Sequence, residues 1–183
     1  MNILLTILLA VTVWTDSLLL DAYRHEDMKV WKEYIDRGQP ELLVEYGYCG
    51  YIVSADKEAA KPYVARFRED VETQKERLPK GHYEMYKSAV YVFELRLHES
   101  FHPVKAMSLA KEATKIAPND PLVLSYYGTS LFYAPKPFGS KSEALQWFER
   151  AEKHFKGAKW KFCWAREANE MYIRQCKEKL KKQ

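Results

Sequence analysis

Glycine and cysteine are scarce, seven and three in 183 residues, and that scarcity narrows the chemistry open to the chain. No P-loop, G-x-G-x-x-G, G-x-S-x-G or EF-hand pattern occurs, so phosphate cradles, nucleophile elbows and calcium loops lack support. There is no C-x-x-C, and three cysteines make no closed disulfide framework. Cys163 and Cys176 fall on one expected helix, about 20 Å apart at ~1.5 Å per residue, beyond disulfide reach. All three cysteines are expected to act as small buried hydrophobes. A strong charge of one sign is also missing: 29 basic and 25 acidic residues are interspersed, for a net +4. No basic stripe with interleaved aromatics stands out, which argues against nucleic acid as a partner. The cluster Lys177, Lys179, Lys181, Lys182 reads as a solvated end that complements the last helix's dipole.

Aromatic residues, by contrast, are plentiful: 14% of the chain, with thirteen tyrosines. With 47% hydrophobic residues this supports one folded domain with a substantial core rather than disorder. Ile3 to Trp14 is a charge-free apolar run, short for a bilayer span but suited to a signal-peptide h-region. Residues 1–15 are therefore expected to be an export signal, and the chain to work in the periplasm or cell envelope without stable membrane insertion after processing. A packed apolar first helix in a cytoplasmic protein is the alternative.

The organising pattern lies between Ala106 and Ala151. Ala106, Ala110 and Ala113 return as Ala144, Phe148 and Ala151 at a constant offset of 38 residues. Tyr127-Gly128 sits between the copies, where a small residue lets helices approach. A fixed period of this size marks stacked helix-turn-helix units. The spacing of apolar residues predicts helices over 18–35, 39–54, 57–77, 82–97, 103–116, 122–133, 143–155 and 160–182. Asp16-Ser17, Asp56 and Ser140 or Ser142 supply N-caps, and Pro103 and Pro121 open helices at their first turn. Gly47 and Gly50 each cost a helix roughly 1 kcal/mol against alanine, so close packing is expected there. The predicted fold is all-α: antiparallel pairs at about 41–79, 82–118 and 121–156, a closing helix 160–182, and one domain over 16–183.

These units resemble tetratricopeptide repeats, in particular small single-domain bacterial extracytoplasmic members. The likeness rests on Gly128, on Ala106, Ala110, Ala113 and Pro118, and on Ala144, Phe148 and Ala151. Gly47, Ala60, Val64 and Phe67 make a more divergent copy. The period departs from the family's 34 residues by four, which the inserted loop Pro135–Gly139 accounts for. The resemblance implies a non-enzymatic scaffold that binds a protein or peptide along the concave face made by the first helix of each pair. The positions it implies are Tyr91, Ser125, Tyr126, Thr129, Phe132 and Tyr133. Helix 122–133 has no Lys, Arg or Asn, so a clamp for a terminal carboxylate is not expected. Phe138, in the apolar loop, either packs back on the core, the favoured reading, or offers a second contact surface. That surface would suit an accessory subunit of an envelope transport or surface complex.

One catalytic pattern competes. His98-Glu99-Ser100-Phe101-His102 spells H-E-x-x-H, which on a continuous helix places two zinc ligands on one face with a glutamate base. Pro103 disfavours helix at His102, and the repeat reading puts the segment in a turn, so a zinc hydrolase is only a remote alternative. No cofactor, metal or catalytic residue is expected.

Overall fold

The computed structural model describes residues 17–38, 40–157 and 163–182. Among these the regular structure is wholly helical. The helices are α1 (17–24), α2 (Met28–Asp36), α3 (Leu42–Ala55), α4 (Lys57–Gln74), α5 (His82–Leu97), α6 (Pro103–Ile116), α7 (Pro121–Tyr133), α8 (Lys141–Lys156) and α9 (Cys163–Lys181). A 3-10 turn, Lys75–Arg77, extends α4. Consecutive helices pack in adjacent pairs, α3 with α4, α5 with α6 and α7 with α8. Further contacts join α3 to α5, α5 to α7 and α7 to α9. These four form an inner layer, with α4, α6 and α8 outside. The protein is an all-α helical-repeat fold.

The local causes are the ones the sequence carries. Asp56 accepts from the Ala59 N–H at 3.0 Å, and Asp120 from the Leu122 and Val123 N–H groups at 2.9 and 3.1 Å. Of the two candidate serines, Ser140 is the cap, accepting from the Glu143 N–H at 3.1 Å. Each oxygen satisfies a donor that the first helical turn leaves without an intrahelical partner. All six residues of the 38-residue signature are buried. Gly128 is needed where α7 meets α8, because a Cβ there would lie 2.8 Å from the Phe148 ring. At Gly47 a Cβ would lie 2.5 Å from the Trp31 ring and 2.8 Å from that of Trp164. Gly50 makes no such approach, its nearest neighbour being the Phe93 ring at 4.0 Å. Close packing therefore explains Gly47 but not Gly50.

Several expectations are corrected. The helix expected over 18–35 breaks at His25–Asp27, where Glu26 takes a left-handed φ of 56° and Asp27 caps α2 through the Lys29 N–H. Three consecutive polar residues give that segment no apolar face to keep the helix docked. Cys49 and Cys176 are buried free thiols, but Cys163 is exposed. Its place at the start of α9 puts it before the first buried turn, Trp164 and Ala165. The apolar run 3–14, the cap at Asp16 and the start expected for the last helix at 160 lie outside the described residues.

The pairs run the same way, so the stack has two ends. At the upper end Arg96 donates to Ser54 Oγ at 3.0 Å and lies 5.8 Å from the Tyr133 ring, joining the C-terminal ends of α3, α5 and α7. The lower end carries the turns 75–81 and 117–120. There His82 Nε2 lies 3.0 Å from Asp120 Oδ2, joining the N-terminal ends of α5 and α7 across 38 residues. Ser88 and Tyr126, also 38 apart, hydrogen-bond through their hydroxyls at 2.8 Å halfway along the same helices.

Candidate functional site

The inner layer is lined with aromatic rings that pack on one another. Tyr46 of α3 lies 6.3 Å from Tyr86, 6.0 Å from Phe93 and 5.8 Å from Tyr126, ring centre to ring centre. Tyr126 is buried, and Ser88 Oγ at its hydroxyl also donates to the Ala106 carbonyl at 2.7 Å. Burial pushes the Tyr126 hydroxyl up to about 12 and raises those of Tyr46 and Tyr172 further. These phenols keep their protons at neutral pH and supply neither a nucleophile nor a general base.

The last helix closes part of this face. The Tyr172 ring stacks on Phe148 at 5.1 Å, and its hydroxyl is 3.3 Å from that of Tyr133. At the other end of α9, Trp164 sits edge-on to Trp31 at 4.8 Å and 6.0 Å from Tyr23. Arg24 and Glu167 form an ion pair beside them. The first and last helices thus meet over the inner face, and the groove expected to lie open is filled there by the chain itself.

The candidate residues accordingly separate. Tyr126 and Phe132 belong to the core. Thr129 is half-buried and donates to the Ser125 carbonyl at 3.0 Å. Tyr91 is not on the inner face. Its ring meets Lys105 at 4.9 Å, Lys87 at 5.9 Å and His102 at 5.7 Å, toward the α6 flank. Two residues on, Phe93 takes the inner position instead, since neighbours two apart on a helix point to different faces. Tyr133 is 60% exposed at the end of α7. Phe138 is 65% exposed, which corrects its expected packing on the core. Its loop, with a cis Lys136–Pro137 bond, is seated instead by Gly139, whose backbone lies against Leu131 and Ala134.

Tyr23, Tyr46, Phe93 and Tyr172 join this inner face without being among the candidate site residues. The dipeptide Tyr46-Gly47, a repeat of Tyr127-Gly128, was the available signal. Tyr23 and Tyr172 carry no such mark, because they enter through the terminal helices that lie outside the repeats.

The H-E-x-x-H segment lacks the geometry it requires. α5 ends at Leu97, His98 takes a left-handed φ of 61°, and His102 precedes α6 as its cap. His98 Nε2 lies 3.1 Å from Lys57 Nζ, whereas His102 faces Tyr91. The two imidazoles share no helical face. Among the described residues no group of three His, Cys, Asp or Glu side chains is placed to hold a metal. No helix among them is long and apolar enough to cross a membrane.

The fold and this surface define a helical-repeat protein with an aromatic inner layer and exposed apolar turns at one end. No protein-family model, curated protein or solved structure matches the chain.

Proposed function

We propose that the chain is a non-enzymatic scaffold of the tetratricopeptide-like kind that holds a polypeptide at the upper mouth of its inner face. The carrying observation is Tyr133, mostly exposed between the Tyr172 hydroxyl and the Arg96 guanidinium. A tyrosine whose ring and hydroxyl are both reachable supplies apolar area and a hydrogen bond at little entropy cost, as interface aromatics do. The buried Tyr126 and Phe132 hold that ledge in place.

The test is photo-crosslinking in the native cell with p-benzoylphenylalanine in place of Tyr133, beside the same replacement at Tyr91. A polypeptide adduct from position 133 that is absent from position 91 is the expected result. No adduct at 133, or equal adducts at both, would overturn the reading.

A second reading, an accessory subunit held at the envelope beside a transport or surface complex, is favoured by the exposure of Phe138. Export of the chain is part of both readings and rests on the apolar run 3–14 in the sequence.

A further inference from the structure

Among the described residues the most exposed large apolar side chains are Phe101 at 78%, Val104 at 74% and Phe138. Phe101 and Phe138 stand on the upper turns, between α5 and α6 and between α7 and α8, and Val104 is in the first turn of α6. The hollow beside the first turn, bounded by Phe101, Val104, Lys105 and Ser108, is open. Exposed rings on turns cost solubility, and clusters of this kind mark contact with another phase or partner.

The charge around them narrows the choice. Lys105 and Lys136 flank the two turns, and Lys181 is exposed at the end of α9. Lys141 and Lys179 converge on the Phe132 ring, 3.7 and 4.8 Å from its centre. Across that end the exposed carboxylates are Asp56, Glu58, Glu99, Glu143 and Glu178, and the exposed lysines are Lys57, Lys105, Lys136, Lys179, Lys181 and Lys182. We propose that the upper end lies against an anionic lipid surface, with Phe101, Val104 and Phe138 entering the headgroup layer and the exposed Lys105, Lys136, Lys179 and Lys181 meeting lipid phosphates; Lys141 is held by the Phe132 carbonyl. Aromatic and aliphatic side chains flanked by lysine suit that interface, because the ring partitions into it while the ammonium stays at the phosphate level. An export signal, as expected for the charge-free run Ile3–Trp14, would carry the chain to a membrane in the first place. The proposal does not depend on the polypeptide site at Tyr133.

The test uses the full chain with Cys163→Ser and an environment-sensitive fluorophore on Phe101→Cys, Phe138→Cys or, at the lower end, Asn119→Cys. Vesicles are phosphatidylcholine with or without phosphatidylglycerol, some carrying nitroxide-labelled lipid. The expected result is a blue shift and nitroxide quenching at positions 101 and 138 but not at 119. Binding should weaken at least about tenfold without phosphatidylglycerol, and again in the Phe101→Ser, Phe138→Ser double variant. Failure to bind the anionic vesicles would overturn the proposal. So would binding with all three labels equally wet, since the apolar run alone would then hold the chain. A concentration-dependent shift at 101 and 138 without vesicles would assign the surface to a second copy instead.

Discussion

The two ends of the stack are built from the same kind of turn, and both join their helices through polar groups, but they treat large apolar side chains in opposite ways. At the lower end polar groups point inward and bind the chain. His82 is buried against Asp120, and Arg150 donates to the Pro118 carbonyl. At the upper end apolar groups point outward, and Phe101, Val104, Tyr133 and Phe138 find little of the chain to cover them. Among the lower turns the exposed large apolar side chain is Ile116, at 39%. The stack needs both ends closed to hold its pairs together. A turn that satisfies its own polar groups serves the fold, whereas one that leaves rings in water adds nothing to it.

The contrast can be broken first at Asp120. Its replacement by Ala removes the cap of α7 and leaves His82 buried without its carboxylate, an expected loss of about 2–3 kcal/mol in urea unfolding. Burial alone would raise the Asp120 carboxyl, but the hydrogen bond and charge of His82, with two backbone N–H donors, hold it below its ordinary 3.8. Its contribution is complete above 3.8 and is lost as pH falls through the lower folded value.

Glu45 works in the other direction. Burial and the neighbouring Asp70 push its carboxyl up to about 7 against the pull of Arg66. A raised value favours the fold below the ordinary 4.5, an advantage lost as pH rises to about 7. Glu45→Gln is expected to remove that slope and to be more stable than the parent by about 1–2 kcal/mol at alkaline pH, with little difference in acid. Unfolding midpoints across the pH range check both carboxyls, and equal slopes in parent and variant would contradict this account of Glu45.

Effects at the upper end should be smaller. Arg96→Ala loses a half-solvated hydrogen bond and a ring contact, worth about 0.5 kcal/mol. Phe101→Ser and Phe138→Ser should each change stability by less than about 0.5 kcal/mol, because neither ring is buried. A loss of more than about 2 kcal/mol from either would place that ring in the core and erase the difference between the ends.

Much of the stack was legible in the sequence because its causes are local. Pro103, Pro121, Asp56 and Ser140 mark helix starts, and the alanine and phenylalanine period marks the buried seam of each pair. The candidate site was only partly legible. Tyr126 and Phe132 prove to be core, and a closing helix is legible in the sequence but its contacts are not, since Trp164 meets Trp31 and Gly47 across more than a hundred residues. Tyr91 comes from the family resemblance alone; in its own helix Phe93, two residues on, takes the inner face and Tyr91 another. Phe138 was drawn toward the core by its apolar character alone. The loop is instead seated through Gly139, whose lack of a Cβ lets its backbone approach Leu131 and Ala134, and Phe138 is left exposed.

The difference between the ends is tested most directly by hydrogen exchange of the full chain with and without native envelope membranes. The account predicts slowed exchange in 98–104 and 133–139, with 75–81 and 117–120 unchanged. Protection of the lower turns, or of neither end while the chain is membrane-bound, would contradict it.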